Sequence, residues 1–146
     1  MPLFFVWMKR SFFVVKDLII ITFQLLYGLW YLCRLKEPIV TVFGGARLAP
    51  DDVYAGITAD LSHKLVEHGL SVLTGGGPGV MQAANCGAMY HKKDNGLRSM
   101  GIGVEGLGEG ANSCVQKFII IINFPARKWL LTRYSMAYVV MPGGFG

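Results

Sequence analysis

Cysteine, carboxylates and a lysine after glycine are scarce or missing in this chain, and each shortage excludes something. The three cysteines, Cys33, Cys86 and Cys114, are odd in number and scattered. They suggest neither a disulfide framework nor a metal knuckle, and a reducing compartment, hence a cytoplasmic location, fits best. His63, His68 and His91 show no ligand spacing with one another or with cysteine, so no metal site is expected. No glycine is followed by lysine, which removes a Walker A loop and ATP hydrolysis of that type. Acidic residues number 9 against 14 lysines and arginines, yet no basic stripe interleaved with aromatics follows the first 37 residues, so nucleic acid is not expected as a partner. Repeats and low-complexity linkers are also lacking, and 146 residues suit one domain or less.

What is abundant is apolar sequence, 53% of the chain with a mean hydropathy of +0.44, concentrated at the N-terminus. Leu18 to Cys33 is an uncharged run of 16 residues, just short of the roughly 18–20 that cross a bilayer. Lengthening it upstream brings in Lys16 and Asp17, which are costly at membrane depth. Five cations (Lys9, Arg10, Lys16, Arg34, Lys36) against Asp17 and Glu37 leave the first 37 residues at +3. No small-x-small cleavage site follows, so the pattern is not that of a secretory signal. The balance favours a helix packed on this protein or a partner subunit, ahead of a membrane span or interfacial attachment. Residues 1–37 thus read as a hydrophobic helical segment, and residues 38–146 as a Rossmann-like nucleotide-binding domain.

After Glu37-Pro38 strands and helices alternate. Strands are expected at Ile39–Phe43, Leu70–Leu73, Ser99–Val104, Phe118–Ile122 and Ala137–Met141. The first helix is capped by Asp51 or Asp52, carries an apolar face at Ile57, Leu61 and Leu65, and ends at Gly69. The unbroken apolar run at Phe118–Ile122 suggests burial on both faces. This order argues an α/β fold with a doubly wound, mainly parallel sheet.

In such sheets ligands bind beyond the carboxyl ends of the strands. The loops there are Gly44–Arg47, Gly75–Gly79, Glu105–Gly110, Asn123–Arg127 and Pro142–Gly146, and they converge on one edge. Thr74-Gly75-Gly76-Gly77-Pro78-Gly79-Val80-Met81 is central. Glycines between strand and helix expose backbone N–H groups, and the helix directs its positive end at the same spot, so a phosphate is the expected occupant. Taken alone, the stretch could also be an ordinary tight turn. Gly101-Ile102-Gly103-Val104-Glu105-Gly106 matches the dinucleotide fingerprint literally, but its first two glycines fall inside a strand and no helix follows. Arg127 and Lys128 occupy the first turn of a helix, against its dipole. Two solvated side chains would explain that, but the converging loops favour Arg127 as a forked partner for a phosphate or carboxylate.

With these segments in hand, residues 39–146 resemble the LOG family of nucleoside 5′-monophosphate phosphoribohydrolases, often mislabelled lysine decarboxylases. The resemblance rests on Phe43-Gly44-Gly45-Ala46-Arg47, on Thr74 to Met81 with Ala83-Ala84-Asn85, on Arg127-Lys128, and on Pro142-Gly143-Gly144-Phe145-Gly146. It implies hydrolysis of the N-glycosidic bond of AMP or a modified AMP, giving base and ribose 5-phosphate, without a metal or redox cofactor. It also implies a homodimer. On this resemblance Arg127 is the catalytic candidate. Gly44, Gly45, Arg47, Gly75, Gly76, Gly77, Gly79, Met81 and Lys128 would bind substrate, with Pro142, Gly143, Gly144 and Gly146.

The family pattern continues with a Thr and, three residues later, the principal catalytic Glu, which lie past Gly146. The sequence therefore reads as a fragment, inactive by itself and leaving apolar sheet surface uncovered. Gly45 and Gln82 stand where the family often has Ser and Glu. The competing expectation is a non-catalytic nucleotide-sensing module of the same fold.

Overall fold

Parallel pairing dictates the layout. In the computed structural model, which describes residues 3–89, 96–108 and 110–143, the elements run α1 (Leu3–Leu32), β1 (Ile39–Phe43), α2 (Val53–Glu67), β2 (Ser71–Thr74), α3 (Val80–Met89), β3 (Ser99–Val104), β4 (Lys117–Ile121), α4 (Phe124–Arg133) and β5 (Ala137–Val140). The five strands form one sheet in the order β4-β3-β2-β1-β5, every neighbouring pair parallel. This is the expected Rossmann-like α/β fold. Because all strands point one way, every loop that follows a strand leaves from the same edge.

Each face of the sheet has its own core. On one, Ile39, Leu73, Met100, Ile102, Ile119 and Ile121 pack beneath α4 and the end of α1, through Leu130, Leu131 and Leu32. On the other, Val42 and Val72 pack with Val66 of α2 and with Val80, Ala84 and Ala88 of α3.

Asp52 caps α2 by accepting from the Tyr54 amide at 2.8 Å, and Gly69, at φ +85°, ends the α2 turn in the left-handed region that favours glycine. The buried face of α2 differs from expectation. It is Ala55, Thr58, Ser62 and Val66, while Ile57 is half exposed. Small side chains win there because α3 approaches closely: a Cβ on Gly87 would strike the Ala59 backbone.

β4 also departs from expectation. It is an edge strand, and Ile120 is 56% exposed because α2 and α3 cover that face only over the more central strands. At the opposite edge, Tyr138 and Val140 of β5 are exposed as well.

α1 is packed on the protein along one stripe of its second half. Ile21, Leu25, Tyr31 and Leu32 meet the core, and Gly28 makes room for Leu130. Gln24 Oε1 accepts from the Asn123 amide at 3.0 Å. Most of residues 7–20, with Phe23, Leu26, Tyr27 and Trp30, are exposed. Trp7–Leu32 is long and apolar enough to cross a membrane by length and composition.

Candidate functional site

The site begins where β2 ends. Thr74, fully buried, accepts from the Gly76 amide at 2.9 Å and donates to Asn85 Oδ1 at 2.7 Å. Asn85, buried on α3, donates through Nδ2 to Ser99 Oγ on β3 at 2.8 Å. Asn112 closes the network from the loop after β3. Its Nδ2 lies 3.0 Å from Gly76 O, Gly77 O and Asn85 Oδ1, and its own amide donates to Gly76 O at 2.9 Å. Gly76 holds φ +76°, so a side chain there would strain the backbone, and its Cα side is roofed by the Phe118 ring. A buried network with its members paired is rigid, and each member left unpaired costs about 1–3 kcal/mol.

The neighbouring loops attach to this turn. The Gly45 amide donates to Pro142 O at 3.2 Å, and Gly45 O accepts from the Val80 amide at 3.1 Å. The Gly45 and Gly143 backbones are so close that a Cβ on either would overlap the other, and a Cβ on Gly79 would meet Gly45 and Ala46. Gly44 likewise lies against Val80. The loops after β1, β2 and β5 therefore share one small area.

Arg127 reaches the same area from α4. Asn123 caps that helix by accepting from the Ala126 amide at 3.1 Å. Arg127 Nε donates to Ile102 O at 2.7 Å, and its Nη2 lies so close to Gly75 that a Cβ there would clash with it. The bond to the β3 carbonyl holds the guanidinium over the turn, where the half-buried Gly75 and Gly79 reach the surface.

Other candidates are placed differently. Met81 is buried with Sδ against Gly75, so its side chain supports the turn from beneath. Gly76 and Gly77 are buried, and the amides of Gly76 and Val80 are engaged within the protein, which narrows the anion grip the sequence suggests. Arg47 is exposed on the loop after β1. Lys128 is exposed with Nζ 4.9 Å from the Phe124 ring centroid, beside an open recess of about 740 Å³ lined by Phe43, Phe124, Pro125, Lys128, Trp129 and Thr132. Gly144 and Gly146 lie outside the described residues. The glycines of the literal fingerprint, Gly101 and Gly103, lie within β3 and give the Phe118 ring a flat strip to rest on.

Sequence reasoning missed Asn112 and misjudged the cysteines. Cys86 and Cys114 are joined by a disulfide, which corrects the expectation of unpaired thiols. The α3 helix and the loop after β3 bring their Cα atoms within 4.7 Å. Cys33 is free and exposed. Among the described residues no cluster of three or more His, Cys, Asp or Glu could hold a metal.

Residues 37–146 match the SLOG cluster4 family model, in agreement with the LOG-like motifs. No curated protein matches the chain. Among solved structures, TM1055, a structural-genomics target, is similar at 22% identity with a TM-score of 0.56, over 73% of this chain and 62% of that one. The molybdenum cofactor binding protein of the phototrophic bacterium Rippkaea orientalis is 26% identical with a TM-score of 0.57, over 75% of this chain and 65% of that one. The Moco carrier protein of Chlamydomonas reinhardtii is 28% identical with a TM-score of 0.53, over 75% and 64%. The chain thus spans less than two thirds of the length of these structures.

Proposed function

The chain belongs to the SLOG cluster4 family, and from that premise we propose that residues 38–146 bind a nucleoside 5′-monophosphate through its phosphate, at the meeting point of the glycine loops. The observation that carries this reading is Arg127. Its guanidinium is tied to Ile102 O and lies over Gly75, at the positive end of α3. A planar cation beside a glycine turn and a helix N-terminus is suited to a phosphate. Gly143 would close the grip from the β5 side, and the recess beside Phe43, Phe124 and Trp129 offers an apolar, aromatic wall for the base.

The reaction that goes with the LOG-like motifs is hydrolysis of the N-glycosidic bond. Water adds at C1′, the C1′–N bond breaks, and the base leaves with a proton through an oxocarbenium-like transition state. In this reading Arg127 holds the ribose phosphate in register, and the protein works as a dimer. Incubation with AMP of the chain extended through the Thr and Glu that complete the LOG pattern, with free base measured by chromatography, tests the catalytic part. Base release that disappears in Arg127→Ala, with the melting temperature unchanged, supports hydrolysis. AMP binding without base release supports a sensing or carrying module of the same fold.

A second reading is retention of molybdenum cofactor without cleavage. It is favoured by the two similar structures whose names record molybdenum cofactor binding or carriage, at 26–28% identity. Competition between molybdenum cofactor and AMP for the chain separates the two ligands.

A further inference from the structure

We infer that α1 is a docking element for an anionic lipid surface, lying along the bilayer with the α/β domain on its other side. The inference stands apart from the nucleotide site. At 100° per residue, the α1 positions that meet the domain (Ile21, Gln24, Leu25, Gly28, Tyr31, Leu32) fall on one side of the helix. Directly opposite runs a second stripe over six turns: Met8, Phe12, Val15, Ile19, Phe23, Leu26 and Trp30. Every member is apolar and exposed, from 45% at Met8 to 70% at Phe23. A helix that buries one stripe in its own domain normally turns a polar stripe to water. This one does not.

Charge identifies the partner. Lys9 and Lys16 flank the apolar stripe, positioned to extend to a headgroup layer, while Arg10 and Asp17 fall on the domain side. Arg34 stacks on Trp30 with its guanidinium carbon 3.6 Å from a ring centroid, placing a cation and an indole together at the far end of the stripe. Tryptophan beside arginine is the composition of a membrane interface, and the surplus of cations over carboxylates up to Glu37 suits anionic headgroups.

Two other occupants fit less well. A second copy seated helix to helix would bring no carboxylate to Lys9 and Lys16, because Asp17, the one acidic residue of α1, falls on the domain side. A perpendicular span of Trp7–Leu32 would take in the second half of α1, the part clamped to α4 and β4. There the Asn123 amide bonds Gln24, and Lys117 Nζ sits 4.3 Å from the Tyr31 ring. Spanning would draw those polar partners into the hydrocarbon.

Flotation of the full-length chain with vesicles tests this, using phosphatidylcholine alone or with about one third phosphatidylserine. Binding should be at least about tenfold tighter to the anionic vesicles, and the preference should vanish in Lys9→Glu/Lys16→Glu. Phe12→Gln/Phe23→Gln should abolish flotation, with helical circular dichroism and the melting temperature of the domain unchanged. Alkaline carbonate should release the bound protein. Flotation by the phenylalanine variant equal to wild type would overturn the inference. So would a dimer in sedimentation that fails to float and that the same variant dissociates. Retention after carbonate would overturn the in-plane arrangement in favour of a span.

Discussion

Asn112 grips Gly76 twice: its backbone amide and its side-chain amide both donate to the Gly76 carbonyl oxygen, at 2.9 and 3.0 Å. A residue 36 positions away in the chain thus sets the orientation of the glycine turn. The same side chain also reaches Gly77 O and Asn85 Oδ1, so the loop after β3 and helix α3 act on the turn through a single amide.

Asn112→Ala removes the side-chain amide, which takes that donor from Gly77 O and leaves Gly76 O with the backbone amide alone. We predict a loss of about 1–3 kcal/mol in denaturant unfolding and weaker AMP binding. Asn112→Asp should do no better, because a carboxylate cannot donate to Gly76 O or Gly77 O. The check is urea unfolding beside nucleotide titration on both variants.

Gly75→Ala tests the placement of Arg127 more narrowly. The new methyl group would clash with Arg127 Nη2 and press on Met81 Sδ, where the arginine head can give way more readily than the buried sulfur. AMP affinity should fall by roughly tenfold, or about 1.4 kcal/mol, with a smaller change in melting temperature than Asn112→Ala causes. Calorimetric titration paired with thermal melting separates the two effects.

The disulfide gives a third expectation. Under non-reducing conditions only Cys33 should react with a thiol reagent, and three cysteines should react after reduction and unfolding. Cys86 and Cys114 close a loop with a sequence separation of 28, for which loop-closure entropy gives about 3.6 kcal/mol of stability. The Cys86→Ser/Cys114→Ser protein should therefore melt lower. Because these positions adjoin Asn85 and Asn112, it should also bind nucleotide less tightly.

Much of this was legible in the sequence, for a topological reason. Once the strands were recognised as parallel, the loops holding Gly44, Gly75 and Gly143 had to leave from one edge, and local pattern alone sufficed to place them. Asp52 as a cap and Gly69 as a terminator were legible because both act within a few residues. The misreadings involve partners distant in sequence. Ala55, Thr58 and Ser62 carry little hydropathy signal, yet they form the buried face of α2 because α3 comes close. Ile120 is as apolar as a core residue, and only its position at the sheet edge exposes it. Neither the grip of Asn112 nor the pairing of Cys86 with Cys114 leaves a local trace, since both need the folded loop after β3.

The most direct test of the central claim is calorimetric titration of the full chain with AMP and with adenosine. If the glycine loops and Arg127 bind the phosphate, AMP should bind at least about tenfold tighter than adenosine, and Arg127→Ala should lose about ten- to a hundredfold for AMP alone. Equal affinity for the two ligands, or an Arg127→Ala protein that binds AMP as wild type does, would contradict it.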